Sequence, residues 1–301
     1  MGKKFKIDDT RCGPTKKYKN GSCFEYDSLV KIAKAYNEKY DDDIKISKDK
    51  EELVKEIDNK LEKECDDQVC WLKQSFTREI LDDSMKNTFR PKGPTQKNGW
   101  LSTVNIDDVM NQYHEKYPNF MYLGTVPSDF ERLPILGFDK LDYDSLLKKG
   151  KYKLGMVINL DEHNQSGSHW VALFINLKDN QIYFFDSYGK KPIKNIKKYI
   201  DKMTRYLYKK EFGNEMPLKY LETALDKFNK LSPKVQEALK RIDLRYNKIQ
   251  HQKAYSECGV YSINFILRLL KGDSFEYITE NPIRDREMEE CRETYFNNYK
   301  L

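Results

Sequence analysis

Four residues stand where a cysteine, its base and an oxyanion donor could assemble for acyl transfer. Cys258 lies in Gln252-Lys253-Ala254-Tyr255-Ser256-Glu257-Cys258-Gly259-Val260-Tyr261, where a polar loop gives way to a largely apolar run from Val260 to Leu270. A cysteine in the first turn of a helix meets unpaired N–H groups and the positive end of the helix dipole, both of which favour the thiolate. With an imidazolium beside it, such a thiol falls from about 8.5 into the range of about 3.5 to 7.5. The flanking Ser256, Glu257 and Gly259 argue against deep apolar burial. Gln252 could donate an amide N–H to a developing oxyanion alongside the backbone N–H of Cys258. An inert core cysteine is the competing reading, and it suits Cys291 well.

The base is sought in a hairpin. Gly167-Ser168-His169-Trp170 opens one strand, Lys178-Asp179-Asn180 makes the turn, and the return strand ends Phe184-Phe185-Asp186-Ser187-Tyr188-Gly189. A hairpin brings its last residues back toward its first, so His169 and Asp186 share one end. Counting pairs outward from the turn sets Asp186 opposite Ala172, so contact with His169 requires sheet twist or a bulge. Taken alone, the hairpin reads better as a solvated histidine beside a turn and an unrelated aspartate at a strand end. His114, His163 and His251 have no partner that spacing identifies, and His251 reads as a loop residue.

Several elements must hold these residues. Strands are expected over 154–160, 171–177 and 182–185, and a helix from Val260 to Leu270. Ile106, Val109, Met110 and Tyr113 recur at helical spacing after Trp100-Leu101-Ser102. Leu29, Ile32, Ala33 and Tyr36 line one earlier helix, and Leu53, Ile57 and Leu61 a second, with Asp49 and Glu52 as its capping box. Phe89-Arg90-Pro91-Lys92-Gly93-Pro94 breaks the pattern, which sets a helical arm at 1–92 and a catalytic domain at 93–301. The fold class is α+β. With 301 residues, 39% of them hydrophobic, the chain can bury one full core and a satellite.

No run of eighteen apolar residues occurs, and no apolar stretch of a signal peptide follows Met1. A soluble, unsecreted chain with its six cysteines reduced is therefore expected. The spacing of Cys12, Cys23, Cys65 and Cys70 is poor for zinc, so burial as small apolar residues is expected, with no metal and no cofactor. Between Lys190 and Lys210 nine Lys or Arg face a single Asp201. Ile193, Ile196, Ile200, Met203 and Leu207 supply an apolar stripe there, so the basic side reads as a solvated helix face in preference to a nucleic-acid patch.

The order of the four residues and two spacings, seventeen from His169 to Asp186 and six from Gln252 to Cys258, resemble the clan of ubiquitin-like-protein-specific (SUMO) proteases and the adenovirus and African swine fever virus maturation proteases. The likeness covers about Trp100 to the C-terminus. It implies a cysteine protease with Cys258 as nucleophile, His169 as base, Asp186 as its orienter and Gln252 in the oxyanion hole. It also implies that Trp100 and Trp170 wall a narrow slot for glycines, although Ser102-Thr103-Val104-Asn105 lengthens the step to the following helix. The helical arm is similar to that of the large-DNA-virus branch. That implies protein substrates, either viral structural precursors or ubiquitin-like conjugates, and a place in the host cytoplasm and the virion. A non-catalytic modifier-binding scaffold is the alternative outside enzymes.

Overall fold

The computed structural model describes residues 11–40, 42–96, 98–214 and 241–297, with Pro233, Gln236 and Glu237. The chain divides into two compact units, Met1–Gly93 with Arg292–Leu301, and Pro94–Cys291. The last ten residues, expected to close the catalytic domain, thus belong to the first unit.

In the first unit α1 (Tyr26–Lys39) buries Leu29, Ile32, Ala33 and Tyr36, and α2 (Lys50–Leu61) buries Leu53, Ile57 and Leu61. These stripes recur every three or four residues, so each helix shows one apolar side to the shared core. Asp49 caps α2 by accepting from the N–H groups of Glu51 and Glu52. Glu52 does not reach back as a capping box requires; its carboxylate takes the Ser47 hydroxyl at 2.6 Å. Two one-turn helices follow, α3 (Gln68–Trp71) and α4 (Asp83–Lys86). Trp71 and Phe24 stack in the core.

The four cysteines of this unit are not free thiols. Cys12 pairs with Cys23 and Cys65 with Cys70, each pair with Cα atoms 5.4 Å apart. The expectation of six reduced cysteines is corrected, because the packing brings both pairs within bonding distance. Cys258 and Cys291 are the free cysteines.

The second unit opens with α5 (Thr103–Lys116), capped by Ser102 with Asn105 in reciprocal hydrogen bonds. The helix therefore starts one turn earlier than its apolar spacing suggests, and Trp100-Leu101 directly precedes the cap. Then come β1 (Phe120–Val126), α6 (Tyr143–Lys148), β2 (Lys153–Asn159), β3 (Trp170–Asn176), β4 (Gln181–Phe185), α7 (Lys194–Phe212), β5 (Asp243–Tyr246), α8 (Cys258–Lys271), α9 (Phe275–Glu280) and α10 (Asp285–Tyr295), whose residues from Arg292 onward are counted in the first unit. The strands form one mixed sheet in sequence order. Its outer pairs, β1 with β2 and β4 with β5, are parallel, and its inner pairs are antiparallel.

Every residue of β3 is buried, because both sides of the sheet are covered. Val171, Leu173 and Ile175 share a core with Ile196, Ile200, Met203 and Leu207 of α7. On α8, Phe265 stacks on Phe185 of β4 at 4.7 Å. The basic residues of α7 include Lys197, paired with Asp201, and Lys202, paired with Glu131. Its apolar stripe is buried from Ile196 to Leu207, whereas Ile193, expected in the stripe, is the exposed residue just before the helix. Among the described residues no helix is long and apolar enough to cross a membrane.

Gly155 of β2 sets how closely α8 approaches. A Cβ there would lie 2.8 Å from the Phe120 ring and 3.2 Å from Ile266 Cγ2. Gly155→Ala should therefore overpack this layer and cost about 1–3 kcal/mol. A lowered urea midpoint with unchanged slope is the expected result; an unchanged midpoint would show that the layer yields without cost.

Candidate active site

The ladder between β3 and β4 ends at Ala172 paired with Phe185. That is one residue away from the count made outward from the turn. The step matters because side chains alternate, and a shift of one residue reverses the side that each faces. Asp186 now falls in phase with Val171 and His169 instead of opposite Ala172. Diagonal neighbours on one side of a sheet lie within reach of longer side chains. His169 Nε2 and Asp186 Oδ1 are 2.7 Å apart without a bulge in this ladder.

Backbone at the end of β4 is held from β5. Asn247, buried just past that strand, accepts from the Asp186 N–H at 2.8 Å and donates to the Asp186 carbonyl at 2.6 Å. The chain then turns through Ser187 and Tyr188 to Gly189, whose N–H donates to the Asp186 carbonyl at 2.7 Å. Gly189 has φ +70°, and a Cβ there would sit 2.9 Å from the Lys248 carbonyl oxygen. Only glycine meets both demands cheaply. The Tyr188 N–H donates to Asp186 Oδ1 at 2.8 Å, and the Tyr188 ring stacks on His169 at 4.6 Å. The imidazole is thus fixed at its edge and on one face.

Cys258 is the first residue of α8 and is 2% exposed. The expectation that its polar neighbours keep it out of the interior is corrected, since Glu257 is buried with it. Gly259 explains part of that burial: a Cβ there would meet the Leu101 side chain at 3.1 Å. Leu101 therefore seats against the first turn of α8, and its carbonyl accepts from Trp170 Nε1 at 2.9 Å. Because Nε2 of His169 serves Asp186, hydrogen bonding with Cys258 falls to Nδ1. Burial alone would lower the His169 pKa, but the hydrogen bonds and charges of Asp186 and Cys258 outweigh it and push it up to about 9.

Gln252 is fully buried, and its side-chain oxygen accepts from the Ser187 hydroxyl at 2.6 Å. Nε2 donates to the Ala254 carbonyl at 2.7 Å. An amide nitrogen carries two hydrogens, so one remains for a further acceptor. The Lys253 and Ala254 N–H groups both donate to Asp285 Oδ2 at 2.9 Å. Asp285, at the start of α10, thereby secures the loop between Gln252 and Cys258.

Trp100 and Trp170 line one cleft of about 580 Å³, together with Val126, Ile135, Leu136 and Gly167. Trp100 is 52% exposed, while Trp170 is buried. His163 sits on this cleft and pairs with Asp129 at 2.7 Å, a partner that spacing did not identify. His251 lies in the loop before α8, as its sequence reading has it, and is buried there with its Nε2 3.1 Å from the Thr279 carbonyl. Burial lowers its pKa. Asn247, Ser187, Tyr188 and Asp285 were not singled out from sequence. The turn glycine at 189 was the one local hint of a special backbone there.

Residues 153–301 match the Ulp1 protease family, C-terminal catalytic domain. Over 308 residues the chain is 35% identical to a protein of Acanthamoeba polyphaga mimivirus named "Putative thiol protease", covering 95% of this chain and 93% of that one. The chain belongs to the Ulp1 protease family. It is therefore a cysteine protease, a hydrolase similar to SUMO proteases. The SUMO-1 cysteine protease of African swine fever virus is 23% identical over 269 residues, covering 81% of this chain and 89% of the relative. A crystal structure of the African swine fever virus protease superposes with a TM-score of 0.62 at 19% identity, covering 98% of each chain. The α+β fold expected from the sequence is that of this protease.

A group charged below pH 9 sets a testable limb for this Ulp1-family protease. The imidazolium is kept up to about 9 and lost above it. The alkaline limb of kcat/KM should therefore lie near 9, well above the ordinary histidine value of about 6.5. Asp186→Asn removes one of the charges that raise it, so the limb should move to lower pH. A wild-type limb near 6.5, or one indifferent to this substitution, would contradict the coupling.

Proposed function

We propose that the protein is an endopeptidase in which Cys258 is the nucleophile, His169 the acid and base, Asp186 the orienter of His169, and Gln252 an oxyanion donor. The observation that carries this reading is His169 held by Asp186 through Nε2 at 2.7 Å, with the Cys258 thiol at a helix start among the groups that raise its pKa. The Cys258 sulfur attacks the scissile carbonyl carbon, and the carbonyl π electrons move onto oxygen. Gln252 Nε2 and the Cys258 backbone N–H, one of the helix donors with no intrahelical acceptor, stabilise that oxyanion. His169 Nδ1 gives its proton to the leaving amine as the C–N bond breaks, leaving a thioester. It then takes a proton from water, whose oxygen displaces the thiolate. Asp186 holds the imidazole tautomer that this sequence needs.

Cleavage after Gly-Gly is the specificity we assign. Trp100 and Trp170 on one cleft favour backbone without side chains next to the cut, since glycine alone lacks a Cβ. Viral relatives along nearly the whole chain favour a viral structural precursor as substrate, processed during assembly in the host cytoplasm and the virion. The African swine fever virus relative, a SUMO-1 cysteine protease by name, supports a second reading, release of a ubiquitin-like modifier from conjugates. All the proposed groups lie in Pro94–Cys291, so the helical unit is assigned to substrate docking, with no share in the chemistry.

Mass spectrometry of the products decides among these readings. Cleaved precursors with Gly-Gly ends support maturation, and freed modifier supports the second reading. Cys258→Ala should abolish turnover, and Gln252→Ala should lower kcat by about a hundredfold. Trp170→Ala should weaken turnover and relax the glycine preference. A library profile that favours a bulky or basic residue before the cut would overturn the glycine assignment, and full turnover by Cys258→Ala would overturn the nucleophile.

A further inference from the structure

The Gln252 side chain could project either its nitrogen or its oxygen toward a reacting carbonyl, and only one of these stabilises an oxyanion. A carboxamide turned over by 180° has nearly the same shape, so packing alone distinguishes the two states poorly. Hydrogen-bond partners must make the choice. The Ala254 carbonyl can only accept, and it takes one hydrogen of Nε2 at 2.7 Å. On the other side the Ser187 hydroxyl lies 2.6 Å from Oε1. With Nε2 committed to Ala254, Ser187 must be the donor in that pair. Ser187 and Gln252 are both buried, so no bulk water replaces a bond that is lost.

Ser187 is also held rigidly from behind. Its carbonyl accepts from the N–H groups of His251 at 2.8 Å and of Gln252 at 2.9 Å. The preceding residue is Asp186, which contacts His169. One turn therefore carries the carboxylate for the base and the hydroxyl for the oxyanion donor at adjacent positions, 65 residues before Gln252 in the sequence.

We infer that Ser187 is a positioning residue that, together with the Ala254 carbonyl, holds the Gln252 amide with its nitrogen toward the oxyanion. This rests on Gln252 acting as oxyanion donor. Without the hydroxyl, Oε1 loses its buried donor and only the Ala254 carbonyl still opposes the turned state, so that state, which presents oxygen to developing negative charge, gains population. The loss belongs to the transition state, so kcat falls while KM stays.

The test is a double-mutant cycle on the full chain with a Gly-Gly peptide amide. Ser187→Ala should lower kcat about tenfold with KM within about twofold, the scale of one buried hydrogen bond. Ser187→Cys, which keeps the shape and a weaker donor, should fall between. In a Gln252→Ala background, Ser187→Ala should cost nothing further, because there is no amide left to orient. Iodoacetamide should alkylate Cys258 at the wild-type rate in Ser187→Ala, since neither thiol nor imidazole has lost a partner. That readout separates a positioning loss from a damaged fold. Unchanged kcat in Ser187→Ala, or losses that multiply in the double variant, would overturn the inference. Wild-type kcat in Gln252→Ala alone would overturn the oxyanion reading beneath it.

Discussion

The hydrogen bond between His169 and Asp186 depends on the register of two strands. One step of slippage between β3 and β4 would turn the carboxylate to the other side of the sheet and leave a buried imidazole without its partner. Apolar side chains fix that register from both sides: Val171, Leu173 and Ile175 toward α7, and Phe185 toward Phe265 of α8. Sheet packing is thus the source of the His169–Asp186 geometry. The strength of the core sets how tightly an imidazole buried with a carboxylate can be held charged.

A second constraint concerns where α8 begins. Cys258 occupies its first position because the loop before it is tied down at several points. Ser187 binds Gln252, Asp285 takes the N–H groups of Lys253 and Ala254, and Leu101 presses on Gly259. Each tie comes from a different part of the second unit. The helix start, the strand end and the Trp100-Leu101 segment therefore meet through contacts distant in sequence. Cys258 is thereby buried at a helix N-terminus beside an imidazole whose pKa is pushed up to about 9.

Much of this was legible in the sequence. The three inner strands and α8 follow from apolar runs between turn residues, and the four candidate residues follow from type and spacing. The two edge strands were missed for opposite reasons. In β1 the register shifts between Tyr122 and Thr125, around Gly124 at positive φ, which destroys the alternation that marks a strand. In β5 four residues, Asp243-Leu244-Arg245-Tyr246, are only partly buried and carry the charges typical of a short edge. With β5 unseen, Asn247 behind Asp186 was unseen as well. Ser187 and Asp285 act on residues 65 and about 30 positions away, and no local pattern reports such partners. The disulfides escaped for the same reason: only packing shows that Cys12 meets Cys23 and Cys65 meets Cys70.

In the proposed reading one of the two free thiols, Cys258, is activated by His169 and cuts after glycines held at Trp100 and Trp170. A peptide ending in Gly-Gly with a C-terminal alkyne or vinyl ester tests it most directly, because such a group captures only a thiolate positioned for attack on that carbonyl. Incubation with the full chain, followed by proteolysis and mass spectrometry, locates the adduct. The expected result is one adduct on Cys258, lost in His169→Ala and lost when leucines replace the glycines. An adduct on Cys291, or equal capture of the glycine and leucine probes, would contradict the account.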